Sequence, residues 1–542
     1  MMKTGIAQIG LCVGFCVLIG CGGGSNNGDS QNVSSLSSSP ISSTTSSTSS
    51  STNNSAISSS SVFSSSSAIE NSSVFSSTSS SQSNSPVSLS SISSSSAAQS
   101  SVAEELFINA LFNKGGTLSP FSHVTVNAGE TRVFTPTPEA NYRLAGVYGC
   151  NSRIEAGQVI AGPITQSCVL NVSFVRVGSL ADQLNLTDRG LIRCITEMED
   201  KSATPLTAAS ITSLVCGNLF DPVSSYEELT LFPNLESLAL TGTRLSGSWN
   251  FGFFQQLTRL NLHDNQIEAV DVSQNTKLTH LDLGENWLTQ INLTPLVNLV
   301  ELSIDNNQLD AIDLSANTKL KVLDLEDNKL QSLQIAHLDQ LTQLNASRNK
   351  LTDLDYSKNV QLTDLSIGWN LFDSVNVSML PELSSLNLGA LNLESIDLGM
   401  NTKLADLRLM ENKLTTLDVS KLPLLTNLSV YKNQLSSLDL SFNTKLTDVN
   451  VLDNRLTSLD LSKLTDLKVF LATYNQLANI DLSNNKLLQW VLLTENKLVT
   501  VMGVDKLSKE AELDFSKNPL DAATKSYLFD LYDKQGYEYL SF

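Results

Sequence analysis

The sequence predicts a mainly β architecture: a solenoid of short parallel strands, preceded by a small antiparallel β domain and a disordered serine-rich linker. Three observations carry this reading. A leucine opens a unit at Leu235 and Leu257 and then every 21 residues, through Leu278, Leu299, Leu320, Leu341, Leu362, Leu383, Leu404, Leu425, Leu446, Leu467 and Leu488. A fixed period in this range is the mark of stacked repeats. Before it, between residues 104 and 178, apolar and polar residues alternate with period two between Gly, Pro and Asn turns, as in half-buried strands. Earlier still, Ser, Thr and Asn dominate and leave no core to bury.

Charge bounds the partners. The 542 residues carry a net charge of -20 with a pI near 4.6, so nucleic-acid phosphates and anionic headgroups repel the chain. A nucleic-acid partner is not expected, and membrane contact is expected only through a lipid anchor. Residues 1–20 read as a signal peptide, because Lys3 precedes an apolar run from Ile6 to Ile19 that is too short to span a bilayer. The run ends Leu18-Ile19-Gly20-Cys21, which resembles the lipobox of bacterial lipoproteins. That resemblance implies cleavage before Cys21, diacylation of its thiol and a third acyl chain on its amine. Each buried methylene adds about 0.8 kcal/mol, so several chains anchor far better than one. By the same resemblance Gly22, where an Asp would favour inner-membrane retention, implies sorting to the outer membrane of a Gram-negative bacterium, with the protein exposed at the cell surface. Residues 21–103 then form a tether with a root-mean-square reach of about 50 Å. Its serine tracts resemble linkers of secreted polysaccharide-degrading enzymes.

Residues 104–178 are expected to fold as the small antiparallel domain, with His123-Val124-Thr125-Val126, Arg132-Val133-Phe134-Thr135 and Cys168 to Phe174 as strands. The string Gly115-Gly116-Thr117-Leu118-Ser119-Pro120, Val126-Asn127-Ala128-Gly129-Glu130-Thr131, Phe134-Thr135-Pro136-Thr137-Pro138, Tyr142, Gly149-Cys150 and Gly162-Pro163-Ile164-Thr165 resembles a small bacterial surface repeat related to the internalin B-repeat. That family serves mostly as a spacer or adhesive module. Of the seven cysteines, Cys12 and Cys16 leave with the signal and Cys21 takes lipid. Cys150, Cys168, Cys194 and Cys216 remain as an even set for an oxidising compartment. Pairing Cys150 with Cys168 and Cys194 with Cys216 is favoured, since each pair falls within one apparent unit. No Cys-x-x-Cys occurs and the four His are scattered, so a zinc site is not expected.

The remaining boundaries are an N-terminal solenoid cap over 179–216, the solenoid over 217–518 and a C-terminal cap helix over 519–542. A bare end coil would expose the continuous core, and Ala522, Tyr527, Leu528 and Leu531 stand at helical spacing. One unit, Leu320-Lys-Val-Leu323-Asp-Leu325-Glu-Asp-Asn328-Lys-Leu330, resembles the leucine-rich-repeat family in its short bacterial 21-residue subclass. The resemblance implies that Leu323 and Leu325 point inward from a short strand while Val322 and Asp324 point outward. It also implies that Asn328 belongs to an internal ladder bonding the backbone of neighbouring coils. Asparagine keeps this place from Asn265 to Asn370, from Asn412 to Asn496 and at Asn518. Leu391 breaks the row, with Asn392 one step late, and a local bend is expected there. The second half of each unit repeats Leu-Asp-Leu-Ser, as at Leu438-Asp439-Leu440-Ser441, and is expected to form a second strand. Fourteen such coils at roughly 4.8 Å each would extend about 65 Å.

Two surfaces are candidates for function. An aspartate recurs in the second half, at Asp271, Asp313, Asp355, Asp397, Asp418, Asp439, Asp460 and Asp481. Such a row either binds calcium, best from Asp397 to Asp481, or accepts backbone N–H groups of the following turn. Asn292, Gln334 and Asn376 share the slot, which favours the hydrogen bond. On the opposite, inward-curving face the outward positions collect His263, His280, Asp305, Asp324, Asp364, Trp369, Asp406, Arg408, Tyr431, Tyr474 and Trp490. Exposed aromatics among charges are usual recognition anchors, and Trp369, Arg408 and Tyr431, near the irregular unit, rank first. No Gly-x-Ser-x-Gly, phosphate-binding glycine loop or His-Glu-x-x-His occurs, and the acid pairs recur with the repeat. The expectation is a non-catalytic binding or adhesion protein that needs no cofactor, with a protein partner first and a glycan second.

Overall fold

The computed structural model describes residues 105–217, 223 and 226–542, so the signal peptide, Cys21 and the serine-rich linker lie outside the described residues. The first domain holds β1 (Leu106–Phe112), β2 (Gly116–Ser119), β3 (Ser122–Val126), β4 (Arg132–Pro138), β5 (Tyr142–Tyr148), β6 (Ser152–Glu155), β7 (Gln158–Ala161) and β8 (Cys168–Arg176). They form two four-stranded sheets, ordered β3-β1-β8-β5 and β2-β4-β7-β6. The pairings are antiparallel except between β1 and β8, which run parallel with Ile108 beside Cys168 and Phe112 beside Val172. In β3 the alternation buries Val124 and Val126 and leaves His123 and Thr125 exposed, as a half-buried strand requires. Phe134, Leu170 and Phe174 fill the core of this domain. Cys150 and Cys168 are disulfide-bonded, with their Cα atoms 5.4 Å apart.

This domain packs directly on the solenoid's first end. Val175 belongs to the solenoid core, the Ser173 hydroxyl donates to Thr187 O at 2.5 Å, and Arg143 pairs with Asp182 at 2.5 Å. Beyond β8 come α1 (Leu180–Gln183), α2 (Arg189–Lys201) and β9 (Ser213–Val215). Asp188 caps α2 by accepting the Leu191 N–H at 2.8 Å, which satisfies a donor the helix cannot. Leu191, Ile192, Cys194 and Ile195 are buried on one side of α2. Cys194 is disulfide-bonded to Cys216, tying that helix to the first coil.

The solenoid is a coil of short parallel strands that repeats with the leucine period. Among the described residues, β9 opens a sixteen-stranded sheet that ends at Leu540–Ser541, each strand pairing in parallel with the next. Leu302 stands beside Leu323 and Leu323 beside Leu344, so one coil advances the register by one 21-residue unit. Leu320, Leu323, Leu325, Leu330 and Leu333 of one unit are all at most 4% exposed, each adding roughly 2 kcal/mol of apolar burial. Asn328 sits in the predicted ladder. Its Nδ2 donates to Ile304 O at 2.8 Å and to Leu325 O at 3.2 Å, and its Oδ1 accepts the Leu309 N–H at 3.0 Å.

Three features differ from expectation. The coil at Leu391 does not bend: the strand Ser385–Asn387 keeps register on both sides, and Leu391 is buried at 2% exposure. The next ladder residue compensates, Asn412 accepting Leu391 N–H at 3.1 Å and donating to Leu388 O at 2.9 Å. Second, the latter half of each unit is mostly not a strand. Among the described residues the exceptions pair Ser246–Asn250 with Gln266–Asp271, and Asn479–Asp481 with Thr500–Met502. In paired and unpaired units alike the aspartate side chain accepts the N–H two residues on, as Asp481 and Asp439 do. Third, a further asparagine row occurs at Asn275, Asn317, Asn359, Asn401, Asn443 and Asn485, all fully buried and 42 residues apart.

The first coils carry α3 (Tyr226–Leu229), and the far end carries α4 (Ala522–Gln535). Asp521 caps α4 through the Thr524 N–H at 2.7 Å, and Leu528 and Leu531 enter the solenoid core. Ala522 is exposed and Tyr527 half-buried, so the apolar stripe is narrower than its spacing implied. No helix among the described residues is long and apolar enough to cross a membrane.

Candidate functional site

Each coil presents its strand, then a residue in the left-handed conformation, then the ladder asparagine. His280 and Trp490 open their strands and Arg408 closes one. Asp364 and Asp406 open strands and Asp324 closes one. His263, Asp305 and Tyr431 come two residues before a ladder asparagine. Trp369 and Tyr474 occupy the turn itself, at φ 54° and 58°. They therefore stand at the edge of the strand face, not among its outward strand positions as expected. Large side chains are uncommon in this conformation.

Two of the three highest-ranked residues lie in one neighbourhood. The Arg348 guanidinium lies 4.6 Å from the centre of the Trp369 ring, a cation–π contact. The far edge of that indole reaches the next coil at Gly389, where a Cβ would come within 3.0 Å of the ring and 2.9 Å of Met410 Sδ. Met410 is only 6% exposed although its slot faces outward. Tyr431 follows one coil later, half-buried, with Lys432 Nζ 5.9 Å from its ring. Burial, and then Glu411, raise the Tyr431 pKa above the usual tyrosine value. Arg408 instead pairs within its own strand, with Nη2 2.8 Å from Asp406 Oδ2. It lines a shallow cleft of about 220 Å³ with Asn427, Asp448 and Asn450. Tyr474 and Trp490 are 54% and 45% exposed, Tyr474 five coils, or about 24 Å, beyond Trp369.

Toward the other end of the sheet, charge gathers. His263 Nδ1 lies 3.6 Å from Asp282 Oδ1, and Nε2 lies 3.7 Å from Glu285. Asp282 foremost, with Asp305 and Glu285 adding, raises the His263 pKa to about 9 against the effect of burial. His280 stands 3.3 Å from Glu301. Burial, with Asp305 and Glu326 adding, pushes Asp324 up to about 6. Among the described residues, His263, Asp282 and Asp305 are the group close enough to hold a metal ion. Sequence reasoning had named His263 and Asp305 but not Asp282, Arg348 or Met410. The missed signal was spacing across coils, 19 residues from His263 to Asp282 and 23 from Asp282 to Asp305.

The aspartate row of the second half closes turns. Asp397, Asp418, Asp439, Asp460 and Asp481 accept the N–H two residues on, at 2.8 to 2.9 Å. Asn292 and Asn376 make the same bond at 3.2 and 3.0 Å. The Ser420 hydrogen bonds, side chain first, hold the Asp418 carboxyl below its ordinary pKa, as the backbone and then side-chain bonds of Ser441 and Ser462 do for Asp439 and Asp460. A carboxylate lowered in the folded state stabilises above its unfolded pKa and loses that contribution as pH falls through the folded value. Replacing Asp418, Asp439 and Asp460 together by Asn is therefore expected to leave the thermal midpoint near the parent's at pH 7. At pH 3 the variant should lose less than the parent does. An equal acid loss would show that these carboxylates do not contribute.

No family model matches the chain, and no curated protein matches it. Among solved structures, the chain is similar to the functional domain of InlJ from Listeria monocytogenes at 28% identity, covering 59% of this chain and 72% of that one with a TM-score of 0.46. A leucine-rich-repeat protein of Leptospira interrogans aligns at 23% identity over 59% of this chain and 88% of that one, TM-score 0.46. An internalin of Listeria monocytogenes aligns at 24% identity over 61% and 96%, TM-score 0.45. At these scores the fold assignment rests on the chain's own coils.

Proposed function

We propose that this chain is a non-catalytic surface protein that binds a protein partner through the strand face of its solenoid, and that Cys21 anchors it by lipid to the outer membrane. The observation that carries the binding reading is the cluster of Arg348, Trp369, Met410 and Tyr431. It joins an arginine, two aromatics and a buried methionine at one place on that face. Residues of these types, ordered and partly desolvated before binding, are the ones that dominate protein interfaces. Anchoring rests on the lipobox resemblance at Cys21 and on the serine-rich tether that would lift the solenoid from the membrane.

A glycan site is the second reading, supported by the exposed rings of Tyr474 and Trp490. Trp369 argues for protein instead, because the guanidinium of Arg348 already occupies a ring face that a sugar would need. The test is binding of the full chain to an array of bacterial and host surface proteins and of glycans. A protein signal is expected, weakened about 30-fold or more by Trp369→Ala, while Asp439→Asn leaves it intact. A glycan signal that depends on Tyr474 and Trp490 but not on Trp369 would replace this reading with the polysaccharide one.

A further inference from the structure

Near the opening coils of the sheet, donor atoms from three successive coils converge. His263 Nδ1, an Asp282 carboxylate oxygen and an Asp305 carboxylate oxygen lie within 4.8 Å of one another. The space between them is kept open by Gly284. A Cβ there would lie 2.6 Å from His263 Nδ1 and closer still to Asp305 Oδ1, so any other residue would occupy the point toward which the donors turn. The neighbouring groups hold these donors in place. Asn261 Nδ2 donates to Asp282 Oδ2 at 2.8 Å, and the Gly284 N–H donates to Oδ1 at 3.1 Å, which leaves Oδ1 a second lone pair for the opening. Glu285 lies 3.7 Å from Nε2, the far nitrogen of His263, near enough to take up its N–H after a small side-chain movement.

We propose that His263, Asp282 and Asp305 bind a single first-row divalent transition ion, of which Zn2+ is the probe of choice. An ion at about 2.0 to 2.2 Å from nitrogen and oxygen donors needs them roughly 3 to 3.5 Å apart. His263 Nδ1 and Asp282 Oδ1 are already 3.6 Å apart, so small side-chain movements close the site. One imidazole nitrogen with two carboxylates suits zinc, manganese or iron, whereas calcium and magnesium take oxygen donors throughout. With three protein donors, the remaining coordination positions open to the strand face, where water or a carboxylate of a partner completes the shell. The site lies several coils from Trp369, and its test is independent of partner binding.

The measurement is isothermal titration of the full chain with Zn2+ alone, and with Ca2+ for comparison. One Zn2+ site is expected. His263→Gln, which removes a donor, and Gly284→Ala, which removes none but fills the opening, should each weaken it by about 100-fold or more. His280→Gln, on the same face with Glu301 as its carboxylate neighbour, should leave it unchanged. Thermal midpoints close to the parent's identify the variants as folded. A parent that takes up no Zn2+, or Zn2+ binding indifferent to both His263→Gln and Gly284→Ala, overturns the proposal. Ca2+ affinity equal to that for Zn2+ overturns the assignment to a transition ion.

Discussion

Replacing Asn349 by alanine is expected to lower the stability of the solenoid by about 4 kcal/mol, read as a fall in the urea midpoint. Its Nδ2 donates to Leu325 O at 2.9 Å, Ser347 O at 3.1 Å and Ala346 O at 3.3 Å, and its Oδ1 accepts Leu330 N–H at 3.0 Å. The side chain is 8% exposed, so water does not replace these bonds. A hydrogen bond contributes roughly 1 kcal/mol net, but a buried group left without a partner costs about 1 to 3 kcal/mol. Because coils contact only their neighbours, the damage should centre on the units of Asn328, Asn349 and Asn370. Hydrogen exchange at Leu330 N–H should accelerate well before exchange in distant coils. A midpoint within about 1 kcal/mol of the parent would show that the ladder is not the main tie between coils. Leu391 shows how one break is tolerated, since both neighbours are asparagines and Asn412 donates to Leu388 O, which Leu391 cannot, and accepts the Leu391 N–H as well.

The part of the fold legible in the sequence is the part that repeats without variation. Leucine spacing predicts the coil and its register because one residue of slip would turn Leu323 outward and Asp324 inward. The ladder asparagines were legible through the resemblance of the repeat, and their bonds satisfy backbone groups that burial would otherwise leave without partners. The second half of each unit misled because Leu-Asp-Leu-Ser alternates like a strand, while in most units it forms a turn in which Asp Oδ1 accepts the serine N–H. At the candidate site, the types of residue were readable and their placement was not. Trp369 and Tyr474 read as strand-face residues until their left-handed turn is seen, although Asn370 and Asn475 immediately after them mark that turn. Asp282 was overlooked because its partners lie in the coils on either side, at offsets that are not the repeat length.

The buried row at 42-residue spacing leads to the other large effect: Asn401→Asp is expected to cost about 4 kcal/mol at pH 7. Asn401 Nδ2 donates to Val377 O at 2.9 Å and Leu380 O at 2.8 Å. Both acceptors belong to the preceding coil, whose own residue in this slot, Leu380, is fully buried and has no donor in its side chain. Leu296, Leu338, Leu422 and Leu464 alternate with the asparagines in the same way. The coils thus work in pairs, each asparagine coil closing the turn of the leucine coil before it, and the structural repeat is two sequence repeats long. Aspartate keeps the shape but sets an oxygen against two carbonyl oxygens, in a site where a charge has no counterion. The new carboxyl should be driven well above its ordinary pKa. Its destabilisation, measured against the parent at the same pH, should therefore shrink as pH falls and the group takes up the proton it can donate. Asn401→Leu, which supplies neither donor nor charge, should cost less than Asn401→Asp at pH 7, because Val377 O and Leu380 O still accept Leu380 and Leu383 N–H. If the aspartate variant unfolded at the parent's urea midpoint, the asparagine would be a spacer in this slot and the two-coil unit would have no energetic meaning.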